Sequence, residues 1–88
     1  MNIKILGTGC ARCSQLEKTT REVVKELALE ATVEEVKDMR QIMSYNILTT
    51  PGLVINEQVV SSGKVLSKAE VTQIIVNSLA KEEQTKNV

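Results

Sequence analysis

The only two cysteines of the chain, Cys10 and Cys13, lie at a junction between a strand pattern and a helix pattern. Before them, residues 3–6 form a short β-branched run, and Gly7-Thr8-Gly9 predicts the sharp turn that ends this strand. After them, the residues at helical spacing predict a helix that fades near residues 29–31. These residues are Leu16, Thr20, Val23, Val24 and Leu27.

The remaining patterns predict two more helices and three more strands. Residues 32–37 form the second strand, and Asp38 is the expected N-cap of a short helix with Met39, Ile42 and Met43. After a loop over residues 45–50, the third and fourth strands, 52–55 and 59–62, flank a turn at 56–58. Ser67 to Glu70 is a capping box that opens the last helix, whose apolar face comprises Val71, Ile74, Ile75 and Leu79.

This order predicts an α/β fold of the form β-α-β-α-β-β-α. The first βαβ unit requires two parallel strands joined by a right-handed crossover, and the final hairpin adds two antiparallel strands. We therefore expect a four-stranded mixed sheet flanked by helices, forming one domain over residues 1–80. Residues 81–88 are polar and lack periodicity, so they are expected to be a flexible tail.

Composition and charge exclude several classes of partner. The 88 residues carry 11 basic and 11 acidic side chains, and Tyr45 is the one aromatic residue. A chain of zero net charge with a single aromatic side chain has almost nothing on which bases can stack, and this argues against nucleic-acid binding. No apolar run reaches the length of a membrane span, and the amino terminus lacks the features of a signal peptide. We expect a monomeric cytoplasmic protein that binds neither nucleic acid nor membrane.

A C-x-x-C pair at the start of a helix has a specific chemistry. Unsatisfied N–H groups and the positive end of the helix dipole stabilise a thiolate there and lower the pKa of a thiol. Cys10 is on the exposed side of the helix start and is expected to attack, whereas Cys13 is one turn inside and is expected to resolve the mixed disulfide. The charge of Arg12, between them, favours the thiolate further.

Three other interpretations of the pair stay open. The cysteines can be two small buried side chains, or the disulfide can change a surface that a partner protein senses. Two thiolates can also carry Cu(I), although the chain has no histidine or further cysteine with which to close a zinc site. Copper-carrying heavy-metal-associated domains normally have Gly-Met-Thr-Cys before the second cysteine, and the corresponding residues here, Gly7 to Cys10, lack the methionine.

Thr50-Pro51 is the second informative feature, because Pro51 is the only proline and directly precedes the hairpin. A trans proline that begins an edge strand is one interpretation. A cis bond is the other, and it would turn the Thr50 backbone toward the cysteines, where an extended substrate could pair with it as an added strand.

Three stretches together, residues 3–13, 50–56 and 59–63, resemble the small thioredoxin-like redox-active disulfide proteins. The resemblance implies a minimal thioredoxin-like fold, a cis Thr50-Pro51 bond and thiol–disulfide exchange. It also implies disulfide-containing protein substrates, a separate and unidentified reductase, and no cofactor or metal beyond a redox-active Cys10–Cys13 disulfide. Cys10 matches the nucleophile and Cys13 the resolving thiol, while Thr50, Pro51, Arg12 and Gly63 are the expected substrate-binding residues. The motif lacks the Trp, Pro or Tyr common in thioredoxins and glutaredoxins, and the first strand lacks their buried carboxylate.

Overall fold

The structure is a computed structural model that describes residues 1–47 and 49–86. Its strands are β1 (Asn2–Leu6), β2 (Thr32–Val36), β3 (Gly52–Ile55) and β4 (Gln58–Ser62). Its helices are α1 (Ala11–Glu26), α2 (Met39–Ser44) and α3 (Lys68–Lys86). The order of elements is the predicted β-α-β-α-β-β-α.

One mixed sheet with the strand order β2-β1-β3-β4 joins the four strands. β1 pairs in parallel with β2, so that Leu6 is opposite Val36, and antiparallel with β3, so that Leu6 is also opposite Gly52. β3 and β4 form the predicted antiparallel hairpin. The predicted α/β class and the four-stranded mixed sheet are therefore confirmed.

The turn of the hairpin is shorter than the sequence pattern predicts. Asn56 and Glu57 both take left-handed conformations, with φ of 50° and 68°, and β4 begins already at Gln58. Two successive residues with positive φ are typical of the two-residue hairpin turn whose twist matches that of the flanking strands. Gln58 belongs to the strand because this turn leaves no third residue outside the ladder.

The sheet carries one apolar cluster on each face. The larger cluster lies under α1 and α3, and its fully buried members are Ile3, Ile5, Leu16, Leu53, Val71 and Ile75. The smaller cluster lies under α2 and consists of Leu6, Val36, Ile42 and Val54, with Tyr45 and Ile47 packed against it. Successive residues of β1 thus contribute to opposite faces, as the alternation of side chains along a strand requires.

Helix α1 ends earlier than its apolar pattern predicts. It ends at Glu26, and the N–H of Leu27 donates to the carbonyl of Val23 at 2.9 Å. The chain then turns at Ala28, which has a φ of 52°. Leu27 is 38% exposed and is no part of the core, because the left-handed turn redirects the chain before another helical turn can bury it.

The caps of the other two helices are those that the sequence predicts. Asp38 accepts a hydrogen bond from the N–H of Arg40 at 2.8 Å. At α3, the N–H of Ser67 donates to Glu70 at 3.1 Å, and the N–H of Glu70 donates to the Ser67 hydroxyl at 3.2 Å. These reciprocal bonds satisfy two of the amide groups that a helix start leaves unpaired.

The apolar residues of α2 do not all contribute to the core. Ile42 is 2% exposed, whereas Met39 is 55% and Met43 is 65% exposed. A helix of six residues presents little more than one residue to the sheet, so the two methionines remain exposed although their spacing places them on the same face as Ile42.

Two expected segments include residues that the structure does not describe. Of the expected loop over 45–50, Leu48 lies outside the described residues. Helix α3 continues over residues 81–86 of the expected tail, and residues 87–88 lie outside the described part of the chain. None of the helices described in residues 1–47 and 49–86 is long and apolar enough to cross a membrane.

Candidate active site

Cys10 and Cys13 lie at the amino-terminal end of α1, in the segment that directly follows β1. Cys10 is the N-cap residue, with an extended backbone, and its sulfur accepts a hydrogen bond from the N–H of Cys13 at 3.2 Å. The two sulfur atoms form a disulfide, with the Cα atoms 5.1 Å apart. This bond closes a ring across the first turn of the helix, as C-x-x-C spacing allows.

The two cysteines differ completely in exposure. Cys10 lies on the surface, whereas the exposed fraction of Cys13 is 0%. Cys13 fits under the helix start because Gly7 has no side chain. A Cβ on Gly7 would overlap the Cys13 sulfur and lie 2.9 Å from the Cys13 Cβ. A reagent that approaches from solvent therefore meets Cys10 first.

Gly7 also connects the site to the sheet. Its N–H donates to the carbonyl of Val36 at 2.9 Å, which continues the pairing of β1 and β2 by one residue. The last strand residues, Leu6 and Val36, thus hold the chain in position immediately before it turns toward Cys10.

Arg12, Gly63 and Pro51 are joined by two hydrogen bonds, although they are far apart in the sequence. The Arg12 guanidinium donates through Nη2 to the carbonyl of Gly63 at 3.1 Å. The N–H of Gly63 donates to the carbonyl of Pro51 at 2.8 Å. Arg12, one of the two residues between the cysteines, is therefore linked through the end of β4 to the segment that precedes β3.

Gly63 occupies a position that only glycine fits well. Its φ is 74°, and a Cβ there would lie 3.1 Å from the Cβ of Thr49 and overlap its hydroxyl oxygen. The left-handed backbone and the close approach of Thr49 both favour a residue without a side chain.

The Thr50-Pro51 peptide bond is cis, as the sequence resemblance implies. Pro51 is buried and Thr50 is half-buried, directly before Gly52, which pairs with Leu6 at the end of β1. The structure thus places all six predicted site residues at one edge of the sheet. Five of them are linked to another predicted site residue by the disulfide or by a hydrogen bond: Cys10, Cys13, Arg12, Gly63 and Pro51.

Gly7 and Thr49 shape the space around Cys13 and Gly63, and neither is among the site residues predicted from the sequence. A glycine between a strand and a cysteine motif indicates that another group packs closely against the backbone there. This signal could have identified Gly7 as a residue that makes room for Cys13. Thr49 has no such local signal, because its role depends on the conformation of a glycine 14 positions further on.

A polar cluster that the sequence analysis also missed lies on the sheet face that carries α2. The ammonium group of Lys4 donates to the Tyr45 hydroxyl at 3.0 Å and to Glu57 at 2.7 Å, and the Tyr45 hydroxyl donates to Glu57 at 2.9 Å. The hydrogen bond from Lys4, followed by that from Tyr45, lowers the pKa of the Glu57 carboxyl group. The hydrogen bond that Lys4 donates to Glu57, followed by the one that it donates to Tyr45, raises the pKa of Lys4. The cluster ties β1 to the hairpin turn.

Comparisons with known proteins identify the family of this chain. Residues 1–76 match the family model described as a thioredoxin domain. The chain is 44% identical over 75 residues to a thioredoxin of Methanothermobacter thermautotrophicus, a match that covers 85% of this chain and 97% of that protein. It is 32% identical over 71 residues to a thioredoxin of Methanocaldococcus jannaschii, with 81% of each chain covered. The chain therefore belongs to the thioredoxin family and is a thiol–disulfide oxidoreductase.

Proposed function

We propose that the protein transfers two electrons from its Cys10–Cys13 dithiol to disulfides of other proteins through a mixed disulfide. The contrast in exposure between the two cysteines carries this proposal. Cys10 is on the surface at the N-cap of a 16-residue helix, and Cys13 is fully buried one turn further on. The N–H groups and dipole of α1 stabilise negative charge on the Cys10 sulfur.

The reaction has two exchange steps. The Cys10 thiolate attacks one sulfur of the substrate disulfide, the substrate S–S bond breaks, and its other sulfur leaves as a thiolate that takes a proton from water. Cys13 gives its proton to water and attacks the Cys10 sulfur of the mixed disulfide. This step forms the Cys10–Cys13 disulfide and releases the second substrate sulfur as a thiolate. A separate dithiol reductase then reduces the protein and is itself oxidised to a disulfide.

Thr50, Pro51, Arg12 and Gly63 are proposed to contact the substrate near Cys10. The hydrogen bonds from Arg12 to Gly63 and from Gly63 to Pro51 support this assignment, because they hold the three segments beside one another. We also propose that the protein works as a cytoplasmic monomer with no further cofactor.

Single cysteine variants test the two roles. Cys10→Ser should abolish the reduction of a protein disulfide, whereas Cys13→Ser should accumulate a covalent mixed disulfide with the substrate, detected by nonreducing electrophoresis and mass spectrometry. The two variants are matched, since each replaces one sulfur by oxygen. Full activity of Cys10→Ser would overturn the assignment. Slow exchange in the unmodified protein, together with partner binding that depends on the disulfide, would favour the sensing role instead.

A further inference from the structure

The sheet topology gathers four chain segments at the edge that carries the disulfide. β1, β2 and β4 run in one direction and β3 runs in the other. The carboxyl ends of three strands and the amino end of the fourth therefore meet at one edge. The segments at this edge are residues 7–12, 37–40, 49–51 and 63–64.

Cations predominate in these four segments. They contain Arg12, Lys37, Arg40 and Lys64, which are all exposed and which we call the basic edge. Their one acidic residue is Asp38, whose carboxylate accepts the hydrogen bond from the backbone of Arg40 at 2.8 Å. The first turn of α1, which carries Arg12, contains no acidic residue.

Besides Asp38, a second carboxylate offsets part of the positive charge of the basic edge. Hydrogen bonds from Ser67 are the main reason why the pKa of Glu70 is lowered, and the positive charge of Lys64 lowers it further. Lys64 is thus partly compensated by Glu70, whereas the described residues show no ion pair at Lys37 or Arg40. The excess of positive charge at this edge rests mainly on Arg12, Lys37 and Arg40.

The opposite edge of the sheet has no such excess. The segments there, residues 1, 27–31 and 56–57, carry Glu30, Glu57 and the amino group of Met1. The chain as a whole has a net charge of zero. The positive charge beside Cys10 is therefore a local property of the edge and does not follow from the composition.

We propose that the basic edge selects substrate disulfides that have acidic residues next to their cysteines. This inference rests on the proposed function and specifies the substrate class. Opposite charges on the protein and the substrate increase the rate of encounter and favour one orientation. Because these charges are exposed, salt screens the attraction between those that lie farther apart than a Debye length of about 8–10 Å. Cationic substrates are disfavoured for the same reason.

Three peptides with the same internal disulfide provide the test. They differ only in the residues that flank the cysteines, which are two aspartates, two serines or two lysines. We expect kcat/KM to be on the order of tenfold higher for the acidic than for the basic peptide at about 20 mM salt. At about 0.5 M salt the ratio of the two kcat/KM values should fall below roughly twofold, since the Debye length is then shorter than the distance between the charges of the peptide and those of the basic edge.

Charge-reversal variants assign the effect to this edge. Lys37→Glu combined with Arg40→Glu should remove or reverse the preference for the acidic over the basic peptide. Two reversals at Lys18 and Lys25, which are exposed on α1 beyond its first turn, form the matched control and should retain the preference.

The outcomes separate this inference from the proposed function. Equal rates for the three peptides, a preference that does not depend on salt, or a preference that survives the Lys37 and Arg40 reversals would overturn the role of the basic edge. Failure of the unmodified protein to reduce any of the peptides would overturn the proposed function itself. The peptide and salt series uses the unmodified protein, so equal rates or a preference that does not depend on salt overturns the inference even if the variants fold poorly.

Discussion

Replacement of Gly7 by alanine tests whether this position limits the packing of the buried cysteine. The new Cβ would overlap the Cys13 sulfur and lie 2.9 Å from the Cys13 Cβ. Carbon atoms in contact prefer a separation of about 3.5–4.0 Å, so the start of α1 has to move away from β1 by roughly 0.6 Å or more.

The expected cost follows from the position of Gly7. Its N–H is bonded to Val36, and Cys13 is held by the helix and by the disulfide, so neither side can move freely. Excess volume in a closely packed region destabilises a protein by about 1–3 kcal/mol. For a domain of this size, each kcal/mol lowers Tm by about 4–8 °C. Urea denaturation of the oxidised protein measures the change in the free energy of unfolding directly.

Gly52→Ala is the matched control for Gly7→Ala. Its added Cβ would lie 2.9 Å from the terminal methyl group of Ile47, and the next contact, with Leu6, is 3.4 Å away. A terminal methyl group can rotate away, so we expect a loss of less than about 1 kcal/mol. A Gly7→Ala protein that is as stable as the unmodified protein, or more stable than Gly52→Ala, would refute the packing argument.

Two further predictions concern Gly63 and Glu57. Gly63→Ala should lower the free energy of unfolding by about 1–3 kcal/mol, because it combines a positive φ with an overlap with Thr49. Gly9 has a φ of 90°, and a Cβ there would have no neighbour within 4 Å, so Gly9→Ala should cost less stability in the same urea titration. An equal cost would show that the overlap with Thr49 does not contribute to the effect of Gly63→Ala. The hydrogen bond from Lys4 lowers the pKa of Glu57 in the folded protein. The ionised Glu57 carboxylate therefore stabilises the fold above its unfolded pKa, near 4.5, and this stabilisation disappears as the pH falls through the folded pKa. Glu57→Gln should therefore show a smaller loss of stability below pH 4.5 than the unmodified protein in urea titrations over a pH series, and parallel curves would contradict this.

Most of the fold could be predicted because local patterns and tertiary packing agree. The caps at Asp38 and Ser67 act over three residues or fewer, so the sequence alone specifies them. The end of α1 could not be predicted in the same way. Leu27 continues the apolar spacing, and the left-handed turn at Ala28 has no glycine to indicate it. The exposure of Met39 and Met43 depends on how little of α2 reaches the sheet, which residue periodicity does not reveal.

The candidate site was predictable in its residues and less so in its contacts. Cys10 and Cys13 are recognisable because their spacing and position have a direct chemical meaning. The bond from Arg12 to Gly63 spans 51 residues, and it exists only because the sheet brings β4 next to β3 and β3 next to β1. The polar cluster of Lys4 and Glu57 also depends on strand register, which no pattern of neighbouring residues specifies.

The outer strand of the hairpin has a consequence for association between molecules. β4 is at the margin of the sheet, and its pairing with β3 shifts register between Leu53 and Val54, opposite Ser61 and Val59. Val60, which this shift leaves without a partner in the ladder, and Val59 are both partly exposed. An edge strand with a bulge is a poor template for pairing with another strand, because its N–H and C=O groups do not align with those of a regular strand. The irregularity thus protects two exposed valines against edge-to-edge aggregation.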